Sequence, residues 1–173
     1  LLTIAGVLLF GIETGLMTGA GLSLALFLYR TSRPHIAVVG QLGDSEHFRN
    51  VKRHPVQTWP GLLLMRIDET LYFANAPRVE AELQAHITEA RDLHDVVLIM
   101  SGVAYIDSSG LEVLESLERA LAGNGIRLHL AEIKGPVMDR LHGTELLQKL
   151  GSARVHLSAS DAVAAIRTHG NPA

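Results

Sequence analysis

Hydrophobic positions divide this chain into two regimes. From Leu1 to Tyr29 they are almost continuous, with one charged residue, Glu13, among Leu, Ile, Val, Ala, Gly, Phe, Met, Thr and Ser. Length and content predict a membrane segment. As one helix it would run about 43 Å, longer than the hydrocarbon core of a bilayer, so it must tilt, protrude or break. Gly11, Gly15 and Gly19 fall four apart, which gathers small residues on one face and suits close helix packing. Glu13 lies among them, where a carboxylate requires protein or trapped water around it. A break between Gly11 and Gly15 eases that cost.

Beyond Gly61 the pattern becomes periodic. Leu62 to Ile67 and Thr70 to Phe73 read as two strands, and Asp68-Glu69 between them predicts a hairpin. Val79, Leu83, Ile87 and Ala90 then recur on one face of a helix over Pro77 to Arg91, with proline near the first turn, where its missing donor does no harm. Val96 to Met100 is a β-branched, uncharged run suited to a strand covered on both faces. Leu111, Leu114, Leu117 and Leu121, with Glu112, Glu115 and Glu118 between them, predict an amphipathic helix beginning at or just after Ser108 and stopped by Gly123-Asn124-Gly125. Arg127 to Ile133 is the next strand. Val137 to Leu150 has helical propensity interrupted by Gly143, and Arg154 to Leu157 is a last short strand. Ser160 caps a closing helix that runs to Thr168 and buries Ala162, Val163, Ala165 and Ile166. This alternation predicts an α/β domain over residues 61–170, with helices packed against the sheet.

The junction after the central strand draws the chemistry together. Asp107, Ser108 and Ser109 can each cap the helix that follows, and each places oxygen where the helix dipole favours negative charge. A hydroxyl there accepts a phosphate at low cost.

Composition changes this picture in three places. The chain of 173 residues is 47% hydrophobic and 19% charged, and its mean hydropathy of +0.22 fits a partly lipid-embedded protein. Residues 30–60 read as a linker carrying Arg30, Arg33, Arg49, Lys52 and Arg53 against Asp44 and Glu46, a balance of +3. Basic residues following a membrane helix mark the cytoplasmic side, which assigns residues 30–173 to the cytoplasm. From Gly61 onward, ten basic and fifteen acidic residues give −5; no basic stripe suggests nucleic acid as a partner. The absence of cysteine excludes disulfides and thiol catalysis.

Ile106-Asp107-Ser108-Ser109-Gly110-Leu111 after an apolar strand resembles the signature of the STAS domain, shared by sulfate transporters and anti-sigma factor antagonists. Three further stretches, Asp68 to Ala76, Leu128 to Val137 and His47 to Val51, resemble the version fused to SulP-family anion permeases. The resemblance covers nearly the whole chain. It implies a STAS-type sheet preceded by the end of a permease's membrane domain, in the plasma (inner) membrane. In that family the last two membrane helices are short, which implies a division into Leu1 to Phe10 and Glu13 to Tyr29. It further implies a fragment of a larger protein that forms a homodimer and moves sulfate or another small anion through membrane helices earlier in the chain. The domain's implied role is regulatory.

Two other readings attach to the same loops. The resemblance maps the phospho-acceptor of the anti-sigma antagonists onto Ser108, beside Asp107, whose charge a phosphate would repel while gaining helix amides. Alternatively Ser108, Ser109, Gly110, Lys134 and Gly135 line a groove for a nucleotide or acyl partner, at the strand ends where α/β sheets tend to bind ligands. The plain alternatives are a helix cap at Asp107-Ser108, and a turn with a helix start at Gly135-Pro136. No enzyme is expected, because Ser108 lacks the first glycine of a nucleophile elbow and an evident histidine. The nine histidines show no ligand spacing, so no metal and no cofactor are expected, and most should lie at the surface or in the linker.

Overall fold

The computed structural model describes residues 4, 7, 11–31, 35–43, 45–90 and 92–169. They divide into two units, Leu1–Arg33 and Pro34–Ala173. In the first, α1 (Ile12–Thr31) is a helix of 20 residues, long and apolar enough to cross a membrane. Gly11, at φ +86°, breaks the backbone just before it, and its amide donates to the carbonyl of Val7 at 3.1 Å. Gly15 is buried, Gly19 half-buried and Glu13 exposed in the first turn. A side chain at Gly15 would meet the backbone nitrogen of Val7 at 2.5 Å, so this glycine allows a close backbone approach within the unit. Apart from Ile4 and Val7, the expected short helix over Leu1 to Phe10 lies outside the described residues, as do Arg33 and Asp44.

The second unit is a mixed sheet between two helical layers. Its strands are β1 (Ile36–Gln41), β2 (Phe48–Asn50), β3 (Leu62–Ile67), β4 (Asp95–Ile99), β5 (Arg127–Ala131) and β6 (Val155–His156), in the order β2-β1-β3-β4-β5-β6. β3 to β6 are parallel, and β1 runs antiparallel to both β2 and β3. Every residue of β4 is buried, as a central strand demands. On one face α2 (Ala76–Glu89), α3 (Ser108–Gly123), α4 (Gly135–Leu141) and α5 (Glu145–Leu150) pack through Leu83, Leu114, Leu117, Val137 and Leu146 onto Met65, Leu98 and Leu130. On the other, α6 (Ala159–His169) lays Ala162, Val163 and Ile166 against Leu64, Val97 and Ile99. Gly143, at φ +81°, separates α4 from α5.

Three expectations need correction. Thr70 to Phe73 does not pair with β3; Leu71 instead makes an isolated parallel bridge with Ile106, and β1 takes the antiparallel place beside β3. Tight hairpins need residues at positive φ, and neither Asp68 nor Glu69 is among those that adopt it. The segment 30–60 is more than a linker, since Ile36, Ala37, Val39 and Phe48 bury themselves in the sheet's core. Ser160 does not cap the last helix. Ser158 sits at that position and its Oγ accepts from the amide of Asp161 at 3.0 Å, while the Ser160 hydroxyl is buried with no partner among the described residues.

Candidate functional site

The site begins where β4 ends. Val103 closes a turn onto Met100, its amide donating at 2.9 Å, and a side chain at Gly102 would meet the carbonyl oxygen of Ile67 at 2.5 Å. The chain therefore passes tightly over the end of β3. Leu71 and Ile106 then hold two loops together: Leu71 donates to the carbonyl of Tyr105 and its own carbonyl accepts from Asp107, both at 3.1 Å.

Asp107 is the cap of α3, with extended backbone. Its Oδ1 accepts from the amide of Gly110 at 2.9 Å and its Oδ2 from the amide of Phe73 at 2.9 Å. One carboxylate thus caps a helix and fastens the neighbouring loop. Ser108 follows as the exposed first residue of the helix, Ser109 is half-buried and Gly110 is buried. A side chain at Gly110 would approach the Leu71 carbonyl oxygen and Cβ at 2.8 Å each, so glycine is required by the neighbouring loop.

Asn75 shapes that loop from beneath, and its role was not read from the sequence. It is fully buried, donating through Nδ2 to the carbonyl of Thr70 at 2.6 Å and accepting at Oδ1 from the amide of Tyr72 at 3.0 Å. Its place within Asp68 to Ala76, a stretch already singled out, was the available signal. Next door, Lys134 is the exposed cap residue of α4, and Gly135 and Pro136 form that helix's first turn. Arg140 of α4 lies over the ring of Tyr105, 5.4 Å from its centroid. Loops after β3, β4 and β5 therefore gather Phe73, Tyr105, Asp107 to Gly110 and Lys134 to Gly135 at the carboxyl end of the parallel strands. Ser109 and Phe73 also border a groove of about 450 Å³ between α2 and α3.

The membrane-helix residues Gly11, Gly15, Gly19 and Glu13 belong to the other unit.

A second polar cluster lies toward the opposite end and takes in two histidines, while His35, His47, His54, His94 and His142 are exposed as expected. Asp95, on β4, receives Arg127 through two bonds of 2.8 Å and His129 Nε2 at 3.0 Å. His129 Nδ1 meets His156 Nε2 at 3.1 Å, with the rings stacked 5.3 Å apart. His129 is buried. Burial holds both imidazoles below their ordinary pKa, against the pull of Asp95 on His129 and of Asp161 on His156. The alternation of Arg127 and His129 along one strand was the only sequence trace of it. Among the described residues no group of histidine and acidic side chains is arranged to hold a metal.

The sheet order, the central strand and the capped serine loop define an α/β domain of the STAS type. The STAS domain model matches residues 54–162, and the chain belongs to that family. Probable sulfate transporter 4.2 of Arabidopsis thaliana is 34% identical over 167 residues, which cover 90% of this chain and 25% of that protein. The chain spans about a quarter of the length of the curated relatives it matches. The murine anion transporter Solute Carrier 26 family member A9, in an inward-facing state, superposes with a TM-score of 0.85 at 21% identity, over 98% of this chain and 28% of that one. The anti-sigma factor antagonist SpoIIAA in its unphosphorylated form superposes with a TM-score of 0.52 at 14% identity, over 68% of this chain and 96% of that one. At these identities the two structures show the fold alone.

Proposed function

We propose that this chain is the regulatory STAS domain, with an adjoining membrane helix, of a SulP-type secondary transporter of sulfate or a related small anion. The observation that carries the reading is the extent of the likeness to a sulfate transporter: it covers 90% of the chain, well beyond the domain's own residues 54–162. The apolar α1 supports an integral membrane protein, and the basic residues that follow it support a cytoplasmic domain. The transport path lies in membrane helices outside this chain, the domain being regulatory rather than catalytic, and the transporter works as a homodimer. Uptake of radiolabelled sulfate by cells expressing the full-length parent protein, with chloride and dicarboxylates as competitors, tests this. Saturable uptake is expected. Its absence for every small anion would favour a membrane-anchored signalling antagonist.

Exposure of Ser108 at the first turn of α3 favours one regulatory reading of the loop. Phosphate on Ser108 would sit at the positive end of α3 beside the Asp107 carboxylate and compete for the amides that Asp107 holds. Loosening Phe73 would then change the surface presented to a protein or nucleotide at Ser109, Lys134 and Gly135. In the same assay Ser108→Glu is expected to alter uptake and Ser108→Ala to leave it unchanged, at equal surface expression. No change in either variant would reduce Ser108 to a helix residue beside its cap.

A further inference from the structure

The face of the sheet that α6 covers is only partly closed. At the amino ends of β3, β4 and β5 it opens into a groove of about 1040 Å³. Trp59, Leu62 and Ile166 supply apolar walls, and His94, Arg127 and Arg167 supply polar ones. This is the end of the sheet opposite Ser108 and Lys134.

The charge in the groove is unusual for this domain. Asp95 is the acidic residue of the lining, and its side chain is 4% exposed, both oxygens taken by Arg127 and His129. Arg127 spends Nε and Nη2 on that carboxylate, which leaves Nη1 uncommitted to Asp95, and its side chain stays 49% exposed. Arg167 is exposed and has no acidic partner among the described residues. Two guanidinium groups against one committed carboxylate leave the lining at +1, in a sequence that from Gly61 onward balances −5. A basic pocket in an acidic domain focuses anions. Guanidinium forks match carboxylates in geometry, and an aromatic and aliphatic wall beside convergent polar side chains suits a small-molecule site. Among the described residues no hydrogen bond fixes the indole of Trp59.

We propose that this groove binds a small organic anion, a carboxylate with a planar apolar body, its carboxylate on Arg127 and Arg167 and its body against Trp59. The bound molecule spans the ends of β3 and β5 and the last turn of α6, and so reports a soluble anion to the domain at a place separate from the Ser108 loop.

Trp59 is the sole tryptophan of the chain, so its emission reads the groove directly. The full chain in detergent micelles is titrated with benzoate, with neutral benzyl alcohol and inorganic sulfate in parallel. Benzoate is expected to change Trp59 emission saturably and benzyl alcohol to leave it unchanged. Arg167→Gln should weaken benzoate binding by about tenfold, the loss of one charged hydrogen bond, while Lys134→Gln should leave it intact. An equal response to benzyl alcohol, a response to sulfate with none to benzoate, or unaltered binding by Arg167→Gln would each overturn the proposal.

Discussion

The carboxylate of Asp107 joins α3 to the loop before α2 through the backbone amide of Phe73, 2.9 Å from Oδ2, while Oδ1 caps its own helix at Gly110. A residue whose sequence context speaks only of a helix start is also a tertiary fastener. Asp107→Ala removes both bonds and should cost about 2 kcal/mol of stability. Asp107→Asn keeps one acceptor oxygen and should cost about half as much. Urea unfolding followed by Trp59 emission measures both, and equal stability of the alanine variant with the parent would refute the double role.

Gly110→Ala tests the close approach behind the same loop. The added methyl would stand 2.8 Å from the Leu71 carbonyl oxygen, a backbone atom that cannot swing aside. Overpacking of this kind should destabilise by about 1–3 kcal/mol. Ser109→Ala, one residue earlier and half-buried, should stay within about 0.5 kcal/mol of the parent. The comparison separates steric demand from helix propensity, because alanine is the better helix former of the two residues at position 110.

Asn75→Ala should be more damaging than its loop position suggests. The side chain is fully buried and satisfies the Thr70 carbonyl and the Tyr72 amide at once. Its removal leaves those groups short of partners at a cost of about 1–3 kcal/mol. Asn75→Asp keeps the acceptor for Tyr72 but sets a buried carboxylate oxygen against the Thr70 carbonyl, and should cost at least as much as alanine. Thermal melts of the three proteins at one pH rank them.

The stacked pair His129 and His156 gives stability a pH dependence. Both imidazoles are held below their ordinary pKa by burial, so the unfolded chain binds protons first as pH falls. Stability from this pair is therefore full above the unfolded value of about 6.5 and declines as pH drops below it. His156→Gln removes one titrating ring and should flatten the decline between about pH 7 and pH 5. Asp68 acts in a separate, lower window. Burial raises its pKa, but hydrogen bonds from Arg66 and His35 outweigh burial and hold it below the usual value. The stability it contributes is therefore lost only as pH falls through its depressed pKa. Unfolding midpoints across pH 3 to 8 resolve the two, and a flat profile near neutrality would contradict the histidine assignment.

Local pattern was enough for α1, β4, α3 and the break at Gly143, because continuous apolarity, a charge-free β-branched run, leucines at helical spacing and glycine at positive φ each act within a few residues of themselves. The motif from Ile106 to Leu111 carried the family for the same reason. Pairing across the chain was not legible. β1 joins β3 in a register whose partners are 27 to 31 residues apart, Ile36 opposite Ile67 to Val38 opposite Met65, and nothing in the sequence around Asp68-Glu69 tells that partner from the adjacent Thr70 to Phe73. Asp95, Arg127, His129 and His156 are likewise scattered in sequence and meet only because β4, β5 and β6 run parallel. The sequence by itself determined most of the helices and the strands β3 to β6, which helix suits a membrane, and that α3 begins at the junction of Asp107, Ser108 and Ser109. Only the tertiary structure decided the second bond of Asp107, the need for glycine at 110 and the groove beneath α6, because each depends on the distance between residues far apart in the chain, and folding alone sets that distance.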